Sequence, residues 1–230
     1  MALIETIALV ATVITIISFL SGLSICLDIY RKGSTHEFSS IPFIAGVLWL
    51  GCTLWLRYGY MLSDETMIFV NTIGLSLQAF YLIWFYAFTI KRSQLNKQIG
   101  FLLSLLVLAY VVVESRSDPT YLAGLLACIS SLVFCAAPLA LVRDVVQSKS
   151  SEKLPFILII SSFMVTIMWF LYGLVIKDQF VSVTNGIGAL INTVQLSLFV
   201  IYPNKAKTQA NDLRQSLLNS QNDLKPVLKL

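Results

Sequence analysis

The sequence predicts an all-α membrane protein with seven transmembrane helices, arranged as two parallel three-helix repeats joined by a linker helix (3+1+3). Three observations support this fold class: the composition, seven long apolar stretches and an internal repeat. Of the 230 residues, 57% are hydrophobic and 12% are charged, whereas soluble domains carry about 25% charged residues. A soluble protein with so few charges would expose broad apolar areas to water. The composition therefore excludes a soluble enzyme, a nucleic-acid-binding protein and a disordered chain.

Seven stretches are apolar over enough residues to cross a bilayer, which takes about 20 residues in a helix. They are residues 5–29, 41–62, 66–90, 98–114, 120–145, 155–176 and 180–202. The first has no basic segment before it, so we interpret it as a membrane span and not as a signal peptide. After residue 203 the chain is polar, and we expect a disordered tail.

The distribution of lysine and arginine predicts the orientation of the spans. These cations are frequent in one set of connecting segments and in the C-terminal tail. The other set is acidic and holds Asp64, Glu65, Glu114, Asp118 and Asp178. Because positively charged loops stay in the cytoplasm, we expect an extracellular or luminal N-terminus and a cytoplasmic C-terminus. The expected location is the plasma membrane, the Golgi or both.

An internal repeat relates spans 1–3 to spans 5–7. When the chain is shifted by 114 residues, Trp55-Leu-Arg-Tyr58-Gly59 falls on Trp169-Phe-Leu-Tyr172-Gly173. The same shift places Asn71-Thr-Ile-Gly74 on Asn185-Gly-Ile-Gly188. Upstream of these motifs the offset drifts by one or two residues. Self-similarity over this length is typical of a fold built from two copies of one unit.

The repeat also predicts how the chain is divided. Two three-helix units joined directly would face opposite sides of the membrane, whereas one additional helix restores the same orientation. The charge distribution requires that same orientation, so the repeats are parallel and related by an axis along the membrane normal. The predicted units are a first repeat, a linker helix, a second repeat and a cytoplasmic tail, at residues 1–95, 96–118, 119–203 and 204–230.

Asn71 and Asn185 lie inside apolar helices, where an amide is unfavourable unless it is hydrogen-bonded. Each has a polar companion seven residues later, Gln78 and Asn192, which nearly two helical turns place on the same helix face. Two interpretations are open. The amides bind a ligand from opposite walls of a cavity, or they hold helices together, as amides often do in membrane bundles.

Trp55 and Trp169 each stand three residues before a Tyr-Gly pair. The face of an indole ring suits the CH-rich face of a sugar ring, which favours a stacking role. The alternative is the belt of aromatic residues at the membrane interface.

Tyr58 and Tyr172 lie closer to the predicted outer ends of their spans. They fit the interfacial belt, or they close an outer gate by bonding to Asp64 or Asp178 of the other repeat. Both interpretations agree with the sequence.

Three prolines and a glycine stand at corresponding places in the two repeats. Pro138 lies inside the fifth span, where it removes a backbone hydrogen bond and bends the helix, and Gly22 is its counterpart in the first span. Pro42 and Pro155 open spans 2 and 6, where proline is common in a first helical turn. Two interpretations are open: the four residues are hinges of a gate, or they only mark helix ends and bends.

Several kinds of site are not expected from this sequence. Asp, Glu, Lys and His do not occur deep within a predicted span, although such groups usually mark proton relays or ion coupling. His36 has no companion for a metal site, and the sequence has no phosphate-binding glycine loop. We therefore expect no cofactor, no metal, no catalytic residue and no coupled ion.

The combined pattern resembles the SWEET (MtN3/saliva) family of sugar transporters. The resemblance covers residues 1–203 and rests on the 3+1+3 arrangement, on Trp-x-x-Tyr-Gly in each repeat and on the repeated asparagines. Parallel repeats are a known property of SWEET transporters. The resemblance implies a facilitative, bidirectional sugar transporter that works by alternating access and is not an enzyme. Glycine at position 22, where the family commonly has proline, is similar to the animal members.

The resemblance also implies roles for individual residues. The implied substrate-binding residues are Asn71, Asn185, Trp55 and Trp169. The implied gate and hinge residues are Gly22, Pro42, Pro138, Pro155, Tyr58, Tyr172 and Asp178. A bulky ring at position 55, where the family commonly has a smaller residue, narrows the pocket and favours a monosaccharide such as glucose over sucrose. The implied partners are the sugar, the lipid bilayer and further copies of the chain, without nucleic acid.

Three other functions remain open on the sequence. A proton-driven amino-acid exporter of the PQ-loop type would have a titratable residue in mid-span. A seven-span receptor would share the topology without the 114-residue repeat. A structural membrane protein would use the two asparagines for packing alone.

Overall fold

The computed structural model describes residues 2–35, 41–136, 139, 142–152 and 154–203, and of residues 41–44 it describes the backbone alone. The regular secondary structure of these residues is helical, which confirms the predicted all-α class. The helices are α1 (Ala2–Leu20), α2 (Gly22–Lys32), α3 (Ile41–Leu62), α4 (Glu65–Phe88), α5 (Ser93–Glu114), α6 (Pro119–Ala136), α7 (Val142–Ser148), α8 (Phe156–Ile176) and α9 (Gln179–Ile201).

Within the described ranges, six helical stretches are long and apolar enough to cross a membrane. They are α4, α5, α6, α8, α9 and the stretch formed by α1 and α2 together. The predicted second span, 41–62, coincides with α3, whose 22 residues extend over about 33 Å, close to the thickness of a hydrocarbon core. Large apolar side chains such as Ile83 and Val200 are 69% and 84% exposed. Apolar residues on the outside of a bundle are suited to contact with lipid.

The first predicted span, 5–29, is interrupted between α1 and α2. Ser21 separates the two helices, and its hydroxyl donates to the carbonyl oxygen of Ser18 at 2.6 Å. The hydroxyl of Ser24 donates in the same way to the carbonyl oxygen of Ser21 at 2.7 Å. Serine hydroxyls that bond to the preceding turn favour a kink, as does a neighbouring glycine, here Gly22. The interruption therefore has a local cause in the sequence.

The fifth predicted span, 120–145, corresponds to two helices, and residues 137, 138, 140 and 141 between them lie outside the described residues. Helix α6 ends at Ala136, and the separate helix α7 begins at Val142. Pro138 lies between these helices and outside the described residues, as does the side chain of Pro42 at the start of α3. Pro155 is described, and it is the N-cap residue of α8.

The helices pack as two similar groups. Helix α4 contacts α1 and α3, and α9 contacts α6 and α8. The groups meet where α1 packs on α8 and where α3 packs on α6. Since α1 corresponds to α6 and α3 to α8, each of these contacts is the counterpart of the other, as expected for a twofold relation. Helix α5 packs on α3 and α6.

The principal buried cluster lies where the two groups meet. It includes Tyr58, Met67, Trp169, Tyr172 and Val181, so both groups contribute to one core. Gly173 permits the close approach of α8 to α9, because a Cβ atom added at this position would lie 2.5 Å from the backbone nitrogen of Ser182 in α9. This core supports one end of the cavity described next.

Candidate functional site

A cavity of about 350 Å³ lies between the two helix groups. It is lined by all four residues predicted to bind substrate: Asn71, Asn185, Trp55 and Trp169. Gly22 also lines it. Its other walls combine apolar side chains with a few hydroxyl and amide groups, a combination typical of small-molecule sites.

Asn71 and Asn185 hold equivalent positions on the two walls. The Nδ2 atom of Asn71 donates to the carbonyl oxygen of Met67, and that of Asn185 donates to the carbonyl oxygen of Val181, both at 2.8 Å. Both bonds stay within one helix, whereas amides that hold helices together bond across them. An asparagine amide has two N–H donors and a carbonyl acceptor. Each side chain therefore keeps one N–H and its Oδ1 atom available to a ligand in the cavity.

The two tryptophans are held by hydroxyl groups of the opposite helix group. Nε1 of Trp55 donates to Oγ of Ser131 in α6 at 2.8 Å, and Nε1 of Trp169 donates to Oγ1 of Thr15 in α1 at 2.9 Å. Trp169 is only 9% exposed. Residues of an interfacial belt contact the lipid headgroups, whereas these indoles lie inside the bundle and line its cavity. Their fixed orientation presents ring surface to a ligand.

Two tyrosines and two aspartates join the helix groups at one end of the cavity. The Tyr58 hydroxyl donates to Oδ2 of Asp178 at 2.7 Å, and the Tyr172 hydroxyl donates to Oδ2 of Asp64 at 2.8 Å. Both tyrosine side chains are buried. We call these four residues the tyrosine–aspartate latch. Each bond of the latch runs from one repeat to the other, and bonds to ionised groups are among the stronger hydrogen bonds.

The aspartates of the latch also begin α4 and α9. Oδ1 of Asp64 accepts the backbone N–H of Met67, and Oδ1 of Asp178 accepts that of Val181, each at 2.8 Å. A carboxylate at an N-cap satisfies a free N–H and interacts favourably with the helix dipole. The backbone therefore fixes each carboxylate, and its second oxygen is placed for the tyrosine. Met67 and Val181 also line the cavity, so the latch lies directly beside it.

Comparisons with known proteins point to one family. The family described as "Sugar efflux transporter for intercellular exchange" (MtN3/saliva) matches residues 5–93 and 121–207. The sugar transporter SWEET1 of Drosophila pseudoobscura is 38% identical over 204 residues, which are 86% of this chain and 89% of the relative. The chain belongs to the SWEET family of sugar transporters.

Further relatives agree with that assignment. The bidirectional sugar transporter SWEET1a of rice is 33% identical over 201 residues, which cover 84% of this chain and 72% of that protein. The structure of a eukaryotic SWEET transporter superposes with a TM-score of 0.73 at 28% identity, over 86% of this chain and 96% of that one. This chain is thus an integral multi-pass membrane transporter with the SWEET fold, and it is not an enzyme.

The SWEET cavity contains hydroxyl residues that the sequence analysis did not single out. They include Thr15, Ser131, Ser162 and Thr166. Thr15 and Ser131, which hold the indoles, are related by an offset of 116, two more than in the Trp-x-x-Tyr-Gly motifs. The drift of the repeat upstream of those motifs was visible. Aligning α1 with α6 at the larger offset would have revealed this pair of hydroxyls.

Side chains of α4 and α9 bind carbonyl groups near the ends of α1 and α6. The Tyr81 hydroxyl donates to the carbonyl oxygen of Phe19 at 2.9 Å, and Nε2 of Gln195 donates to that of Cys135 at 3.1 Å. Each carbonyl lies three residues before a predicted hinge position. Carbonyl groups at the end of a helix lack an intrahelical partner, so these side chains satisfy them. The repeat does not reveal this pair in the sequence, because tyrosine and glutamine are chemically unlike.

Proposed function

We propose that this SWEET protein moves a monosaccharide such as glucose across a membrane in either direction, by alternating access and without a coupled ion. The observation that carries the proposal is the cavity between two related helix groups, with an asparagine and a tryptophan on each of its facing walls and the latch at one end. Sugar hydroxyls donate and accept hydrogen bonds, and a primary amide does both.

The chemistry of the lining fits a neutral substrate. Among the described residues that line the cavity there is no Asp, Glu, Lys, Arg or His. Ion-coupled transporters usually carry such groups within their spans. Two indoles that approach from opposite groups narrow the cavity, which favours a single sugar ring over a disaccharide.

The latch is the proposed outer gate. In this arrangement the N-terminus and the latch face the cell exterior or an organelle lumen, and the C-terminus faces the cytoplasm. Breaking the two tyrosine–aspartate bonds would allow the helix groups to separate at that end. Rocking of one repeat against the other about a central site is the usual form of alternating access. Gly22, Pro42, Pro138 and Pro155 are the proposed hinges of this motion.

The proposed division of the chain follows the helix groups. Helices α1–α4 belong to a first repeat at 1–95, α5 forms the linker at 96–118 apart from its first turn, and α6–α9 belong to a second repeat at 119–203. The reciprocal packing of α1 on α8 and of α3 on α6 supports this division. The tail at 204–230 lies outside the described residues. Assembly into homo-oligomers and residence in the plasma membrane or the Golgi are part of the same proposal.

The test is uptake of labelled glucose by cells that lack hexose carriers. Wild-type protein should give saturable uptake, and Asn185→Ala should remove most of it, because the substitution deletes one of the two central amides. Thr193→Ala is a matched control, since Thr193 lies on the same helix and its hydroxyl bonds to a carbonyl of its own turn. Its uptake should equal the wild-type rate.

Two results would contradict the proposal. Uptake at the level of empty-vector cells over a panel of sugars would exclude sugar transport by this chain. Wild-type uptake by Asn185→Ala would exclude the assigned site. In liposomes, a requirement for a proton or sodium gradient would exclude uniport.

A further inference from the structure

Gln78 differs from the other polar residues of the central cavity. Its side chain is 4% exposed and lines the cavity from α4. In the described part of the chain its amide forms no hydrogen bond with another residue. Among the described residues, the buried side-chain atoms that lack a hydrogen-bond partner are Oγ of Ser151 and Oε1 of Gln195, so the amide atoms of Gln78 are not sealed in the core but open onto the cavity. The amide of Gln78 is therefore placed for something that enters the cavity.

The repeat shows that this is a property of one wall alone. The counterpart of Gln78 is Asn192, which is 1% exposed. Nδ2 of Asn192 lies 3.1 Å from Oγ of Ser162 and 3.4 Å from Oγ1 of Thr166, and it donates to both. The protein itself thus occupies the donor of the second-repeat amide.

The sequence explains why Gln78 has no such partners. The 114-residue offset that relates Gln78 to Asn192 places Leu48 at the position of Ser162 and Cys52 at that of Thr166. Leucine has no acceptor, and a thiol accepts only weakly. Both residues line the cavity, so no hydroxyl group stands where the Gln78 amide would need one.

Gln78 also lies away from the central asparagine of its own wall. Asn71 and Gln78 share one face of α4 and are separated by nearly two turns. Gly74 lies between them, packed so tightly that an added Cβ would be 2.6 Å from the Phe19 ring and 2.7 Å from Sγ of Cys52. Gln78 is on the side of Asn71 that is farther from the latch. Its amide therefore meets a part of the ligand, or of the ligand's path, that Asn71 does not reach.

From these observations we propose that Gln78 contacts the transported sugar and hydrogen-bonds one of its hydroxyl groups, with no equivalent contact from the second repeat. This inference rests on the proposed sugar transport. The sugar then meets three amides that retain donors or acceptors for it, those of Asn71, Gln78 and Asn185. Asn192, the counterpart of Gln78, is not among the residues that line the cavity, and its Nδ2 atom donates to Ser162 and Thr166. Gln78 is accordingly a residue that determines which hydroxyl groups the protein recognises.

The test is hexose transport by the purified full-length protein in liposomes. Gln78→Met keeps the length of the side chain and removes the amide, and Gln78→Leu is a second variant without hydrogen-bonding groups. Each should raise the KM for glucose about 3- to 10-fold, the factor expected from one net hydrogen bond between neutral groups. Ser76→Ala is the matched control, because Ser76 lies two residues away on the exposed face of α4. It should leave the KM unchanged.

A series of monodeoxyglucoses provides a readout that a structural role would not give. For the wild type, removal of one particular hydroxyl should raise the KM by a similar factor, and for Gln78→Met its removal should have no further effect, as in a double-mutant cycle. A wild-type KM and an unchanged deoxyglucose profile in both Gln78 variants would overturn the inference while leaving sugar transport in place. If the wild type transports no hexose, the proposed function fails, and this inference fails with it.

Discussion

Asp64 and Asp178 make the same two contacts in the two repeats, whereas Gln78 and Asn192, which the same offset relates, do not. Each aspartate caps a helix and accepts a tyrosine of the other repeat. Asn192 is hydrogen-bonded within the second repeat, and Gln78 faces the cavity without a partner. The repeats are thus alike in these contacts with each other and in the asparagines and tryptophans of the cavity, whereas the pair Gln78 and Asn192 differs between them.

The physical reason lies in what each surface has to fit. The contact between the two repeats is made twice by their twofold relation, so the same pair of residue types, a tyrosine and an aspartate, satisfies it on both sides. A sugar has no twofold axis, and identical walls would bind it no better on one face than on the other. Different walls allow the protein to distinguish the hydroxyl groups of the ring. This comparison can be tested by substitutions at matched positions.

The largest effect should come from the capping aspartates. Asp64→Ala removes both an N-cap and the acceptor of the Tyr172 hydroxyl, and Asp178→Ala removes the corresponding pair of interactions. We expect each variant to lower the free energy of unfolding by about 3 kcal/mol, from the combined loss of a cap and of a hydrogen bond to a charged group. Thermal unfolding in detergent measures it.

If the two repeats are alike at the latch, Asp64→Ala and Asp178→Ala should lower the Tm by the same amount. Glu65→Ala is the control, because Glu65 is an exposed acid in the first turn of the same helix, and it should leave the Tm nearly unchanged. A large drop in Tm for one aspartate variant and none for the other would show that the latch is not symmetric.

A smaller effect is expected from the tyrosines of the latch. Tyr58→Phe and Tyr172→Phe keep the rings in the core and delete one hydroxyl each, so each should lose about 2 kcal/mol, the value of a hydrogen bond to a carboxylate. The same thermal unfolding assay applies. Tyr60→Phe, at an exposed position of α3, serves as the control, and losses in the two latch variants no larger than in this control would contradict the assigned bonds.

The smallest change in stability is expected from substitutions in the cavity wall, which test directly why Gln78 and Asn192 differ. Leu48→Ser combined with Cys52→Thr gives the first repeat the hydroxyl groups of the second. These hydroxyls should accept the Gln78 amide, raise the KM for glucose about 3- to 10-fold and add about 1 kcal/mol of stability. Both values are compared with those of a control that combines Leu48→Ala with Cys52→Val, which has similar shapes and no hydroxyl. The same KM in both double variants would argue against competition for Gln78.

Much of the fold could be predicted because membrane spans are marked by long apolar runs. The internal repeat also predicted that the two helix groups are related, since Trp55, Tyr58 and Asn71 each have a counterpart at the same offset of 114 residues. The same offset led to the idea that a tyrosine of one repeat bonds to an aspartate of the other, and the structure contains these bonds. The roles of these residues in binding and gating remain predictions.

Other features depend on contacts between helices and leave no periodic trace in the sequence. The hydroxyl partners of the indoles are single Ser and Thr residues in apolar helices, where such residues are common for many reasons. The difference between Gln78 and Asn192 is decided by residues on neighbouring helices, α3 and α8. Only the packed structure shows which of the two amides is satisfied.

Each latch aspartate both caps a helix and accepts a tyrosine hydroxyl, and this affects the speed of the proposed transport cycle. When a tyrosine leaves its aspartate, the backbone N–H at the helix start still holds the carboxylate, so the acceptor does not drift away from its place. Closure then needs no search through side-chain rotamers by the acceptor. Two such bonds cross the interface in opposite directions, so when one breaks, the other still holds the helix groups together. Opening therefore requires that both bonds break. Such an arrangement favours switching between two discrete states over gradual loosening.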